Sequence, residues 1–169
     1  CEGLVGSEMC IRDRVKNLPV LVDVSESMSM KDQRKRPGDL LDAAVALGMV
    51  SYDEDTIADQ AVTQLNTDQR QKIDTSSRLD LATAVINESG RPTLDSLGES
   101  MDLRFHAFGK TPRLISDGKN LTSDDLTNLK AIDSSTSIAT SLEVVANSSG
   151  VPPAGIVLLS DGIDNETSQ

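Results

Sequence analysis

The chain has 169 residues, with 16 Lys and Arg against 27 Asp and Glu, and a formal net charge of -11. That length fits one domain with a real core, and so acidic a chain has no basic surplus to neutralise phosphates, which excludes nucleic acid and anionic lipid as partners. Tyr52, Phe105 and Phe108 are the only aromatics, too few for a base-stacking platform, and no apolar run approaches the ~20 residues of a membrane helix.

Taken in chain order, residues 1–14 (CEGLVGSEMCIRDR) begin without Met and resemble a translated sequencing adapter of the kind found at the starts of metagenomic reading frames. They are set aside from the fold as an expression scar would be. Cys1 and Cys10 are the only cysteines and both lie there. No disulfide, zinc site or thiol chemistry is therefore expected of residues 15–169.

Residues 18–24 (LPVLVDV) form a β-branched apolar run, the pattern of a strand buried on both faces. Residues 25–36 are polar and read as a loop. Leu40, Ala44 and Leu47 recur at helical spacing and predict a helix over 39–49. Ile57, Ala61, Val62 and Leu65 predict a second over 55–72. Thr75, Ser76 and Ser77 offer caps for a third over 78–87, which Gly90 and Pro92 then break. A short helix is expected over 93–100, a strand over 103–108, and a short strand over 113–116 ahead of an Asp117-Gly118 turn. A capped helix over 123–130 follows, then an amphipathic helix over 138–147, stopped by Gly150 and the Pro152-Pro153 pair. Residues 155–159 (GIVLL) are a last apolar strand. Strands separated by helices predict an α/β fold with a doubly wound, mostly parallel, Rossmann-like sheet flanked by helices.

Two of the apolar strands end in aspartate. Ligands of such sheets bind beyond the carboxyl ends of the strands. Asp23 closes the first strand and is followed by Ser25 and Ser27. Asp161 follows the last strand. Between them, ahead of a helix, lies the hydroxyl-rich stretch Asp133-Ser134-Ser135-Thr136-Ser137. Hard divalent cations prefer such oxygen ligands. Two carboxylates and three neutral hydroxyls would leave a bound ion short of electrons and ready for a carboxylate from outside.

These residues carry a resemblance. Asp23-Val24-Ser25-Glu26-Ser27 after an apolar strand is similar to the first motif of the metal-ion-dependent adhesion site of von Willebrand factor type A domains. Thr136, ahead of its helix, matches that family's second motif, and Ser160-Asp161-Gly162 matches its third, in the family's order. The resemblance spans roughly residues 18–165, and its strand phrases are most like those of bacterial cell-envelope members. It implies a metal site of Asp23, Ser25, Ser27, Thr136 and Asp161, with Mg²⁺ as the expected cation and Mn²⁺ or Ca²⁺ as alternatives. It also implies a non-enzymatic, protein-binding function directed at a partner that presents Asp or Glu. Membrane association in the cell envelope would come from an anchor outside this stretch. The sequence departs from the family pattern twice. A helical insertion of about forty residues, over about 32–76, separates the first motif from the helix at 78. The family's last strands, expected after the third motif, do not follow, so the resemblance implies a partial, C-terminally truncated domain over 15–169.

The rival reading is a Mg²⁺-dependent phosphohydrolase or phosphotransferase of haloacid-dehalogenase type, with Asp23 as nucleophile. Such enzymes need a second acid two residues on, where this chain has Ser25. His106, the only histidine, alternates with Phe105 and Ala107 and reads as structural. Gly109-Lys110-Thr111 lacks the glycine at 104 that a phosphate loop requires, and no Gly-x-Ser-x-Gly elbow is present. Glu26 reads as a solvated spacer; Asp32 and Asp164 read as surface charges, with a water-mediated reach to the site as the alternative for either. Sequons at Asn87, Asn120, Asn147 and Asn165 are read as chance.

Overall fold

The computed structural model describes residues 16–53 and 55–165, so the segment 1–14 lies outside the described residues. Strand β1 (Lys16–Asp23) is buried at every position after Lys16. A strand sealed on both faces needs no polar alternation, and its sequence is accordingly almost continuously apolar. It lies between two parallel neighbours, β2 (Met101–Phe108) on one side and β4 (Val157–Leu159) on the other. Strand β3 (Pro112–Asp117) turns back antiparallel to β2. The order is β3-β2-β1-β4, an open, mostly parallel sheet flanked by helices, the α/β Rossmann-like fold expected from the sequence.

Between β1 and the first helix, residues 25–36 are not all loop: Glu26–Ser29 form a 3-10 turn whose Met28 is buried. Helices α1 (Pro37–Ala46), α2 (Ala58–Thr63) and α3 (Thr67–Thr75) follow. They pack around Leu41, Ala43, Ala44, Val62, Leu65 and Ile73. α1 stops short of residue 49 because Gly48 takes a left-handed conformation, φ 66°, that ends the helix. The single helix expected over 55–72 is two. Asn66 accepts from the Gln69 N–H and donates its own N–H to the Gln69 side chain, both at 2.9 Å. This capping box starts a new helix inside an apolar periodicity that runs straight through it.

Helix α4 (Arg78–Asn87) starts from a second capping box, Ser77 with Asp80. α5 (Arg91–Gly98) starts earlier than expected. α4 ends at Asn87 as expected, and Pro92 then sits in the first turn of α5, where no N–H is needed. α6 (Ser123–Thr127) is capped by Thr122 and ends before residue 130. α4, α5 and α6 cover one face of the sheet. Leu79, Ala82, Ile86 and Leu126 pack there with Val20, Val22 and Phe105. α7 (Ile138–Asn147) covers the other face, with Val145 against Leu21 and Phe108. The alternation of Val20, Leu21 and Val22 sends neighbours to opposite layers. Burying each of these side chains is worth roughly 1.5–3 kcal/mol, so β1 is fixed from both sides while its carboxyl end stays between the layers. Among the described residues no helix is long and apolar enough to cross a membrane.

Candidate metal centre

Asp23 is the last residue of β1, and the burial that fixes the strand includes it: the side chain is fully buried. Its Oδ1 accepts from the Ser25 N–H at 2.9 Å and its Oδ2 from the Ser160 hydroxyl at 2.7 Å. Both donors are neutral. Among the described residues no Lys or Arg pairs with Asp23. A buried carboxylate ordinarily has a cationic partner or a metal; here the sequence supplies two hydrogen bonds and no counter-charge.

The chain turns at Asp23 and sends Ser25 and Ser27 along the 3-10 turn, where their hydroxyls meet at 3.0 Å. Ser27 also contributes to lowering the Asp161 pKa. Hydrogen bonds therefore join Asp23 to Ser25 and Ser25 to Ser27, and Ser160, next to Asp161 in the chain, joins Asp23 from the β4 side.

The fifth residue, Thr136, arrives on a loop stitched in by backbone hydrogen bonds. Ile132 and Asp133 donate to the Val24 carbonyl at 3.0 and 3.1 Å, and Glu26 donates to that of Asp133 at 2.9 Å. Ser137 donates to the Gly109 carbonyl at 3.0 Å, and Asn165 donates to that of Thr136 at 3.1 Å. The loop thus bridges the ends of β1 and β2 and the segment after Asp161. Gly109 permits this approach, since a Cβ there would collide with the Asp133 side chain. The Thr136 side chain is fully buried, and its Oγ1 has no hydrogen-bond partner. Buried hydroxyls rarely go unpaired; Ser141, one turn into α7, is a second case. Thr136 is not hydrogen-bonded to the other four.

Asp161 differs from Asp23. Its side chain is 7 % exposed, its Oδ1 accepts from the Ile163 N–H at 3.1 Å, and its Oδ2 accepts from Arg78 Nη1 at 2.7 Å. Burial pushes its pKa up, but the hydrogen bonds of Ile163, Ser27 and Arg78 outweigh that and hold it below the ordinary value. Arg78 also holds Asp32 through two bonds of 2.8 Å. The Arg78 hydrogen bonds keep the Asp32 pKa low, and the same contacts raise that of the guanidinium. Asp32 is the surface charge the sequence suggested, with its side chain 41 % exposed, and it is also one end of an Asp32–Arg78–Asp161 bridge. The bridge forms part of the wall of a cleft of about 540 Å³ between α1, α4 and β4.

Sequence reasoning missed Arg78 as a site residue. The only local signal is the capping box, which puts Arg78 at the start of α4, because its partners lie 46 and 83 residues away. His106 pairs across the sheet with Leu114, and burial, then the nearby Arg104 charge, hold its pKa down. Glu26 is exposed, as expected of a spacer.

The donor set consists only of oxygens, two carboxylates and three hydroxyls, which suits Mg²⁺, Mn²⁺ or Ca²⁺. Two features would suit such an ion: among the described residues Asp23 has no charged partner, and the Thr136 Oγ1 has no hydrogen-bond partner. No group of three His, Cys, Asp or Glu forms a metal cluster among the described residues. Comparison with family models, curated proteins and solved structures finds no significant match.

Proposed function

We propose that this chain is a non-enzymatic, metal-dependent protein-binding module of the von Willebrand factor type A kind. Asp23, Ser25, Ser27, Thr136 and Asp161 hold one divalent cation, Mg²⁺ in the first instance, and the loaded site captures an Asp or Glu side chain of a partner protein. The observation that carries the reading is Asp23, a fully buried carboxylate met only by neutral donors. When bound, the cation supplies the missing counter-charge and an open position for an external carboxylate. The chain's own residues do the rest. β1 and its two neighbours hold Asp23 still. The 3-10 turn aims two hydroxyls at one place. Gly109 lets the Thr136 loop close in. Because the hydroxyl ligands are neutral, they do not compete electrostatically with the partner's carboxylate.

The phosphohydrolase reading is disfavoured by the sequence: such an enzyme needs a second acid two residues after its nucleophile, where this chain has Ser25. Calorimetric titration with Mg²⁺ tests the proposal. One weak site in the wild-type chain, absent from Asp23→Ala and weakened in Asp161→Ala, is the expected result. Identical titrations for all three proteins, or Mg²⁺-dependent phosphatase turnover lost in Asp23→Ala, would remove it.

A further inference from the structure

We infer that Arg78 and Asp32 set the net charge of the metal centre, and so divide its affinity between the cation and the incoming carboxylate. The inference rests on the binding-module reading above and deepens it. Arg78 sits 2.7 Å from an oxygen of Asp161 and 2.8 Å from each oxygen of Asp32. Its side chain is 25 % exposed and that of Asp32 is 41 % exposed, so neither is locked in the core. The guanidinium reaches the site from α4, whose start is fixed by the Ser77–Asp80 capping box. The Met30 carbonyl also accepts from the Arg78 N–H at 3.0 Å, which ties the first turn of α4 to the end of the 3-10 turn that carries Ser27.

The consequence is a matter of charge. Asp23, Asp161 and Asp32 bring three negative charges and Arg78 one positive. A divalent cation then leaves these four side chains neutral. Around them Asp133 has Arg113 at 3.8 Å, and Arg34, Asp39 and Asp42 line the same cleft as Arg78, Asp32 and Asp161. Without the guanidinium, the loaded group carries one net negative charge. It then holds the cation more strongly and repels an incoming carboxylate. Without the charge on Asp32, the loaded group is one unit positive and the two effects change sign. Ser25, Ser27 and Thr136 bear no charge and cannot supply this balance. Arg78 is therefore a positioning and specificity-determining residue, acting through Asp161.

The test uses Arg78→Gln, Arg78→Lys and Asp32→Asn in the full chain, with two probes. Mg²⁺ affinity is read by calorimetry, and acetate affinity at saturating Mg²⁺ by amide shifts in NMR. Arg78→Gln should bind Mg²⁺ about threefold to tenfold tighter and acetate about threefold to tenfold weaker, the scale of one unit charge near a protein surface. Asp32→Asn should do the reverse, and Arg78→Lys should stay near wild type. A merely structural role would weaken both probes in every variant, so variants that move both affinities in the same direction, or neither, overturn the inference. Should Arg78→Gln fail to fold, Asp32→Asn decides alone, since it removes one partly exposed charge and keeps its shape. A wild-type chain that binds no Mg²⁺ removes the parent reading together with this one. Mg²⁺ binding that Asp23→Ala abolishes, without the opposed shifts, removes this inference only.

Discussion

The ends of β1 and β4 each carry an aspartate, yet the two are held by different physics. β1 is central, paired on both sides and closed on both faces, and its Asp23 inherits complete burial with neutral donors only. β4 has three residues, pairs only with β1 among the described residues, and leaves Leu158 37 % exposed. Its Asp161 is given a guanidinium. The rigid strand end holds an unmet charge, and the looser end holds a met one. The pair teaches that two aspartates in similar sequence settings are held differently: Asp23 meets neutral donors only, while Asp161 is shared with Arg78.

The largest expected effect breaks this contrast at Asp23. Asp23→Asn removes the buried charge while keeping the shape. Without metal the variant should be at least as stable as wild type, because an unpaired buried charge costs stability. The rise in melting temperature that Mg²⁺ gives the wild type by linkage should vanish. Thermal melts with and without Mg²⁺ read both quantities, and a metal-free Asp23→Asn that melts well below wild type would show that Asp23 is held for structure alone. Next comes Gly109→Ala, which forces a Cβ into Asp133. Overpacking of this kind costs about 1–3 kcal/mol, measurable by urea denaturation, and the displaced loop should take Thr136 and acetate capture with it.

Thr136→Val should change stability by less than about 1 kcal/mol in the metal-free chain, since the lost hydroxyl has no partner to leave unsatisfied. Acetate capture at saturating Mg²⁺ should nevertheless fall. A large loss of stability would mean that Oγ1 is paired in solution.

The smallest effect is on acid stability. The ordinary aspartate value is 3.8, and both Asp32 and Asp161 are held below it in the folded chain. Their contribution is complete above about pH 4 and is lost as pH falls through the lowered folded values. Arg78→Gln should therefore flatten the pH dependence of stability below about pH 4 and leave that at neutral pH little changed. An unchanged acid limb would mean that the bridge is not formed in solution.

Much of the fold was legible because it rests on local signals. The β1 run, the 138–147 helix and the Ser77 cap each follow from neighbours in sequence. The break at Asn66 was legible in principle through Gln69 three residues on, but the apolar spacing of Ile57, Ala61, Val62 and Leu65 continues across it and suggests one helix. Pro92 was read only as the end of one helix, whereas the same residue sits in the first turn of the next. That the chain after β4 meets Asp23, through Ser160, was legible because strand ends gather at one edge of such a sheet. The Asp32–Arg78–Asp161 bridge was not. It joins residues 46 and 83 positions apart, and no pattern within the sequence marks an arginine at a helix start as a partner of a distant carboxylate.

The central claim, that a divalent cation settles at Asp23, is tested most directly by adding Mn²⁺ to the isotope-labelled chain and recording which amide resonances broaden. The account predicts broadening first at Ser25, Ser27, Thr136 and Asp161, absent in Asp23→Asn. Broadening that is spread over the 27 acidic residues and survives Asp23→Asn would contradict it.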